Sequence, residues 1–300
     1  MFKSLQLMAF SLAILLSVSS HAFTINISSD GAPEGEGVEN RGCSLYGEQA
    51  FTSSAGNTLY SQKRAYSGSR SMELTIKKGG KGFGGLGGII NFENCSEFGG
   101  KVLRQGDEIW IRTRLLFPEG FEFNKNGMNK FLRVRVFRDE GGRRVSEGYN
   151  DLYIDSHSYK TNYHPFNFIF EGAQRWFRIG SKEHFFEPEK WKTIEFYLKF
   201  DSSSKNDGGE AVVRVWVDGK LVGETFDRRT MNTPQSYAQA LYFFTYWDNE
   251  GAHRTQSFYA DDLTITTSTP PQRDEFGNPY IGSSQLGREI SPPSAPRPLD

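Results

Sequence analysis

The chain has 300 residues, 37% of them hydrophobic and 24% charged, which is the make-up of an ordinary globular chain of one large or two small domains. Its 35 Lys and Arg against 36 Asp and Glu leave a formal charge of -1, so a bulk polyanion binder such as a nucleic-acid protein, or one held to an anionic membrane, is disfavoured. The 25 Phe, 13 Tyr and 5 Trp beside 32 Gly suit many β-strands joined by tight turns.

The chain opens with the pattern of a cleavable secretory signal over residues 1–22. Lys3 is followed by an apolar run from Leu5 to Val18 and the small-residue exit Ser20-His21-Ala22. That run is shorter than the ~20 residues that span a bilayer, and a secreted or periplasmic protein beginning at Phe23 is expected. Residues 28–41 are rich in Gly and Glu and predict no core. The two cysteines, Cys43 and Cys95, most simply pair in an oxidising compartment, closing a loop of about fifty residues worth about 4 kcal/mol. Two free buried thiols are the alternative, and a closed zinc site lacks ligands.

From residue 43 to 269 period-2 alternation recurs between Gly, Asn, Asp and Pro clusters, with no amphipathic helix longer than two turns. Strands are predicted over 71–77, 88–93, 107–117, 130–138, 150–156, 165–171, 174–179, 193–201, 211–217, 220–226, 239–246 and 256–266. A dozen strands suit an all-β, two-sheet antiparallel sandwich or jelly roll over residues 23–269. Asp218-Gly219, set between Val213-Arg214-Val215-Trp216-Val217 and Lys220-Leu221-Val222, predicts a type I′ hairpin because both central residues tolerate positive φ. The glycine-rich stretch over 79–88 has no following helix and no Gly-Lys-Ser ending, so it reads as a flexible loop or a place where a glycan approaches backbone. Beyond Pro270 the tail is rich in proline. Its middle, Phe276 to Gly282, carries enough apolar surface to dock on the sandwich, and its last ten residues do not.

Three stretches carry a resemblance: Trp191-Lys192-Thr193-Ile194-Glu195-Phe196-Tyr197-Leu198-Lys199-Phe200, then Val213 to Lys220, then Phe258-Tyr259-Ala260-Asp261-Asp262-Leu263-Thr264-Ile265. Over about 80 residues they resemble the C-terminal half of the concanavalin A-like lectin and glucanase jelly rolls, most of all the secreted polysaccharide lyases of the heparin lyase I and glucuronan or alginate lyase kind. The departures are specific. No strand carries the paired carboxylates of the laminarinase-type glycosidases, Glu195 standing with Tyr197 and Lys199, and the Arg-x-Glu-x-Arg and Gln-x-His strands of alginate lyases are absent. The resemblance implies an acidic polysaccharide as partner, a monomer, and no cofactor required for the chemistry. It also implies a structural Ca²⁺ at Asp261 or Asp262, for which a plain turn pair is the alternative.

Alternation sorts the remaining candidates. In the strand over 130–138 the even aliphatic positions face a core, and Arg133 and Arg135 are expected on the other face with Phe131 and Phe137. In the next strand Leu152 and Ile154 point inward, and Tyr153, Asp155 and His157 outward. Eliminative cleavage of a uronic acid needs the sugar carboxylate neutralised, for which Arg is well suited, together with a base and an acid at the leaving oxygen. His157 or a tyrosine would be the base, and Tyr153 or Tyr246 the acid. Cross-strand ion pairing on a solvated face is the structural alternative for the arginines. Trp176, Tyr242 and Trp247 offer rings for stacking on sugars, with core filling as their alternative, and His164 and His253 fall in loops where binding residues concentrate. A non-catalytic carbohydrate-binding module or a structural surface protein would use the same fold with a different face.

Overall fold

The computed structural model describes residues 22–30, 33–37, 57–93, 100–123, 128–155, 166–173, 175–180, 186–247 and 250–282. Sixteen strands run in chain order: β1 (Thr24–Ile27), β2 (Thr58–Ser61), β3 (Ser71–Ile76), β4 (Gly88–Asn91), β5 (Glu108–Leu116), β6 (Met128–Glu140), β7 (Arg143–Asp155), β8 (Phe166–Phe170), β9 (Phe177–Ile179), β10 (Lys192–Lys199), β11 (Val212–Val217), β12 (Lys220–Thr225), β13 (Tyr237–Tyr246), β14 (Gln256–Thr266), β15 (Gln272–Arg273) and β16 (Pro279–Tyr280). The expected all-β sandwich is what forms. One sheet has the order β12-β11-β10-β5-β14-β3-β2, with β1 added on β14, and the other has the order β4-β13-β6-β7-β8-β9. Among the described residues no helix is long and apolar enough to cross a membrane.

The two sheets meet through side chains spaced two apart. Ile194, Phe196 and Leu198 of β10, Val213, Val215 and Val217 of β11, and Leu241 and Phe243 of β13 all enter one core. The alternate residues of each strand face outward, so each sheet has an outer surface with its own chemistry. The type I′ hairpin between β11 and β12 is present, with φ of 49° at Asp218 and 82° at Gly219.

Two expectations need correction in β6. The strand continues to Glu140, and β7 starts at Arg143 rather than Asn150, because Gly141 and Gly142 (φ 56° and 76°) make a tight turn that lets the polar residues on either side continue the β6–β7 ladder. Phe131 does not share a face with Arg133. The pairing of β6 with β7 slips between Lys130 and Leu132, and this irregularity turns the Phe131 ring into the core beside Phe243 and Phe244. The same slip leaves Lys130 on the outer surface with Arg133 and Arg135.

The outer surface of the eight-stranded sheet is covered by the chain itself. Ile281 is fully buried against Trp110, Tyr197, Val212 and Trp216, and Tyr280 stacks over Trp216 at 6.1 Å. The Trp110 indole donates to the Pro279 carbonyl at 2.9 Å, the Trp216 indole to Asp274 at 2.9 Å, and Arg112 to the Gly282 carbonyl at 2.7 Å. Glu195 accepts the backbone N–H groups of both Ile281 and Gly282. Burial pushes the Glu195 carboxyl up to about 7, against the pull of those two donors and Arg112.

Candidate functional site

The outer surface of the six-stranded sheet collects the cations and phenols. Antiparallel register sets them in rows that cross the strands. Tyr246 of β13 lies opposite Lys130 of β6, which lies opposite Tyr153 of β7, which lies opposite Asn167 of β8. In the next row Tyr242 faces Arg133 and Arg133 faces Asp151; in the third, Ala240 faces Arg135 and Arg135 faces Tyr149. Arg133, Arg135, Tyr153, Tyr242 and Tyr246 are thus brought together on one face.

The two arginines differ in their surroundings. Arg133 is only 3% exposed and its Nε donates to Asp151 at 2.8 Å, while Nη2 lies 3.5 Å from Glu171 and the guanidinium sits 3.8 Å from the Tyr149 ring centre. Lys130 closes the same cluster, with Nζ 2.8 Å from Glu171 and, at ion-pair distance, 3.5 Å from Asp151. Two cations therefore hold two carboxylates. Asp151 is fully buried, and burial pushes its carboxyl up to about 6 even with Arg133 and Lys130 pulling it down. Burial also acts to raise Glu171, but the bonds from Lys130 and Asp151 prevail and hold it below its ordinary value.

Arg135 belongs to no such cluster. Its Nη1 donates to the Tyr242 hydroxyl at 2.5 Å, its guanidinium lies within 5.5 Å of the ring centres of Phe137, Tyr149 and Tyr242, and its Nε is buried with no acceptor. Among the described residues no carboxylate pairs with it. A half-buried guanidinium walled by rings and lacking a protein anion is a ready partner for a ligand carboxylate.

Tyr153 and Tyr149 are held as protonated phenols. Burial raises Tyr153 far above the ordinary phenol value, and Asp151 and Glu171 push it further, so its hydroxyl keeps its proton. Burial likewise raises Tyr149, opposed by Arg135 and Arg133. Tyr246 is half-buried, with Lys130 Nζ 4.8 Å from its ring centre. Trp176, 43% exposed, leans on Tyr153 at 5.2 Å.

Other residues singled out in the sequence lie elsewhere. Trp247 is buried in the core against Phe121. His253 is exposed in the β13–β14 connection, which bonds to the glycine-rich stretch through Gly79 and Ala252. His157, His164, Cys43 and Cys95 lie outside the described residues, as does the signal through residue 21, and of the Asp155 side chain nothing is said. Asp261 and Asp262 sit at a register slip of β14, in the other sheet. Asp261 accepts backbone N–H groups from Tyr66, Ser67 and Asp262, and Asp262 holds Arg114 and the Ser67 hydroxyl at 2.8 Å each. Their oxygens are engaged by protein donors, an arrangement that braces the slip and fits a cation poorly.

Lys130, Tyr149, Asp151 and Glu171 were not anticipated as parts of this site. Tyr149 and Asp151 share the period of Tyr153 and were within reach of the alternation argument. Lys130 was concealed by the register slip.

No protein-family model and no curated protein sequence matches the chain. Solved structures do. The endo-β-1,4-glucuronan lyase from the fungus Trichoderma reesei is 12% identical, with a TM-score of 0.50 over 75% of this chain and 92% of that one. A marine PL-14 alginate lyase from Aplysia kurodai is 13% identical, with a TM-score of 0.49 over 81% and 98%. An alginate lyase from a Chlorella virus is 14% identical, with a TM-score of 0.43 over 68% and 87%. At such identities the likeness is one of fold: the chain shares the β-sandwich of the glucuronan lyase, a fold that the resemblance had implied.

Proposed function

We propose that the protein is an exported polysaccharide lyase that cleaves a uronic-acid-containing glycan by β-elimination on the outer face of the six-stranded sheet. One observation carries the reading: Arg135, half-buried among rings, has no carboxylate of the described residues on it, whereas the neighbouring Arg133 and Lys130 have two. A substrate uronate on Arg135 has its charge neutralised, which acidifies the proton on the adjacent ring carbon. Tyr246, across Lys130 from Tyr153 and with the Lys130 ammonium beside its ring, takes that proton as its phenolate and becomes the neutral phenol. The electron pair left behind forms the ring double bond as the glycosidic C–O bond breaks, and Tyr153, kept protonated by its surroundings, supplies a proton to the leaving oxygen. Arg133, Asp151, Glu171 and Lys130 fix these groups in place.

The test is the ultraviolet absorbance of the unsaturated product when the mature protein is incubated with glucuronan, alginate, ulvan, heparin and pectin. A rise with one glycan is expected, abolished in Arg135→Ala and Tyr153→Phe. A Tyr246→Phe variant that cleaves normally while His157→Ala is dead would move the base to His157. Retention on an affinity gel of the same glycans with no absorbance change would replace the lyase by a carbohydrate-binding module.

A further inference from the structure

Four large apolar side chains are exposed among the described residues: Tyr66, Phe83, Trp176 and Phe276. Two of them border the candidate site, one on each side. Phe83, 49% exposed, stands at the β13 side. Its backbone bridges Tyr246, extending the Tyr246–Lys130–Tyr153 row by one place, and its ring lies 5.8 Å from that of Tyr242. Trp176 stands at the β8–β9 side against Tyr153.

Both rings are held by main-chain bonds. The Phe83 turn is fixed to β13 by Gly84 N–H to the Thr245 carbonyl and Trp247 N–H to the Gly82 carbonyl. It leaves the strand at Gly87 (φ 71°), where a β-carbon would stand 2.0 Å from the Phe243 oxygen, so no side chain is tolerated at that crossing. The Trp176 carbonyl accepts from Arg228 at 3.1 Å. Exposing two fixed rings has a solvation cost that core packing does not offset, and each leans on a buried tyrosine of the same face. The two tyrosines are two strand spacings apart, ~10 Å, and the exposed rings lie outside them, too far apart for one sugar ring to touch both.

We propose that Phe83 and Trp176 are stacking platforms for the sugar units on either side of the one held at Arg135, so that an acidic glycan runs across the strands and is recognised as an internal stretch of chain rather than by its end. The proposal rests on the reading of this face as the glycan site and adds its length and direction. Aromatic platforms flanking a cationic centre bind a polyanionic chain through the apolar faces of its rings and through its charge together.

The experiment measures binding of size-fractionated oligosaccharides, from dimer to octamer, of whichever of the five glycans the protein retains. It uses the Tyr246→Phe background if the wild type cleaves. Affinity should climb with length until both rings are reached and then level off. Phe83→Ala and Trp176→Ala should each weaken the longer oligosaccharides about tenfold, leave the dimer within about twofold, and together remove the length dependence. Both side chains are exposed, so thermal unfolding should be unchanged and fold loss is not a competing explanation. Affinity independent of length, equal losses for dimer and octamer, an effect of only one ring, or retention of none of the glycans would each overturn the proposal. Length-dependent binding without unsaturated product would leave it standing and overturn the lyase reading alone.

Discussion

The outer faces of the two sheets are built from similar residues and put to opposite uses. On the eight-stranded sheet Trp110, Arg112, Glu195, Tyr197 and Trp216 form a surface with rings, a cation and a carboxylate, and the segment over residues 270–282 lies on it, meeting Trp110, Arg112 and Glu195 with its backbone and Trp216 with the Asp274 carboxylate. On the six-stranded sheet Lys130 and Arg133 pair with Asp151 and Glu171, whereas Arg135 has no carboxylate among the described residues and two rings that border the face are exposed. The lesson is that composition does not mark a site. What marks it is a charged group for which the described residues supply no counter-charge.

Exchanging the roles of neighbouring arginines is the strongest way to break this contrast. Arg133→Ala leaves the fully buried Asp151 with Lys130, at 3.5 Å, as its one cation among the described residues, and losing one member of a buried pair costs about 3–5 kcal/mol. Its melting temperature should fall by roughly 10 °C. Arg135→Ala removes one hydrogen bond to Tyr242 and should shift melting far less, yet lower the rate of unsaturated-product formation by about 10²–10³-fold. Thermal unfolding and initial rates on the two variants decide it. Equal stability losses would mean that Arg135 is structural too.

The next largest effect lies on the covered face. Ile281→Ala empties a fully buried position between Trp110 and Trp216 and should cost about 2–4 kcal/mol of tail docking. Tryptophan emission should shift to the red as the indoles meet water, while glycan retention stays as in the wild type. A loss of retention would tie the two faces together and remove the distinction drawn between them.

The twelve strands expected from alternation are all present, because a half-buried strand must repeat its apolar residues every second position and Gly, Asn and Asp must supply the turns. Strands β1 and β2 carry too few residues to repeat a pattern, and the polar stretch after Arg138 pairs by backbone around Gly141 and Gly142, where hydropathy leaves no trace. The site was half legible. Arg133 and Arg135 could be placed on an outer face by counting, but nothing in their identical residue type tells which one meets Asp151, since that depends on register across β6 and β7. Phe131 was misplaced, and Lys130 passed over, for a related reason: counting by two fails at a slip, and a slip has no sequence mark here.

The smallest effect concerns pH and sharpens the contrast most directly, since each face buries a carboxylate. Glu195, raised to about 7 from an ordinary 4.5, binds a proton more readily folded than unfolded. Its contribution is therefore fully present at low pH and is lost as pH rises through about 7. Lowering pH from about 8 to about 6 should stabilise the wild type by about 1 kcal/mol through this residue. Asp151, raised only to about 6 by the same cause, contributes less over that interval. Glu195→Gln should flatten the dependence and leave the remainder to Asp151 and to Asp261, which burial also raises to about 6, a difference of a few degrees in melting temperature between the two pH values. If the variant keeps the full pH dependence, the carboxylate under the tail is not titrating in this range. Its two N–H donors would then hold it ionised, and the tail would be pinned by charge rather than by burial.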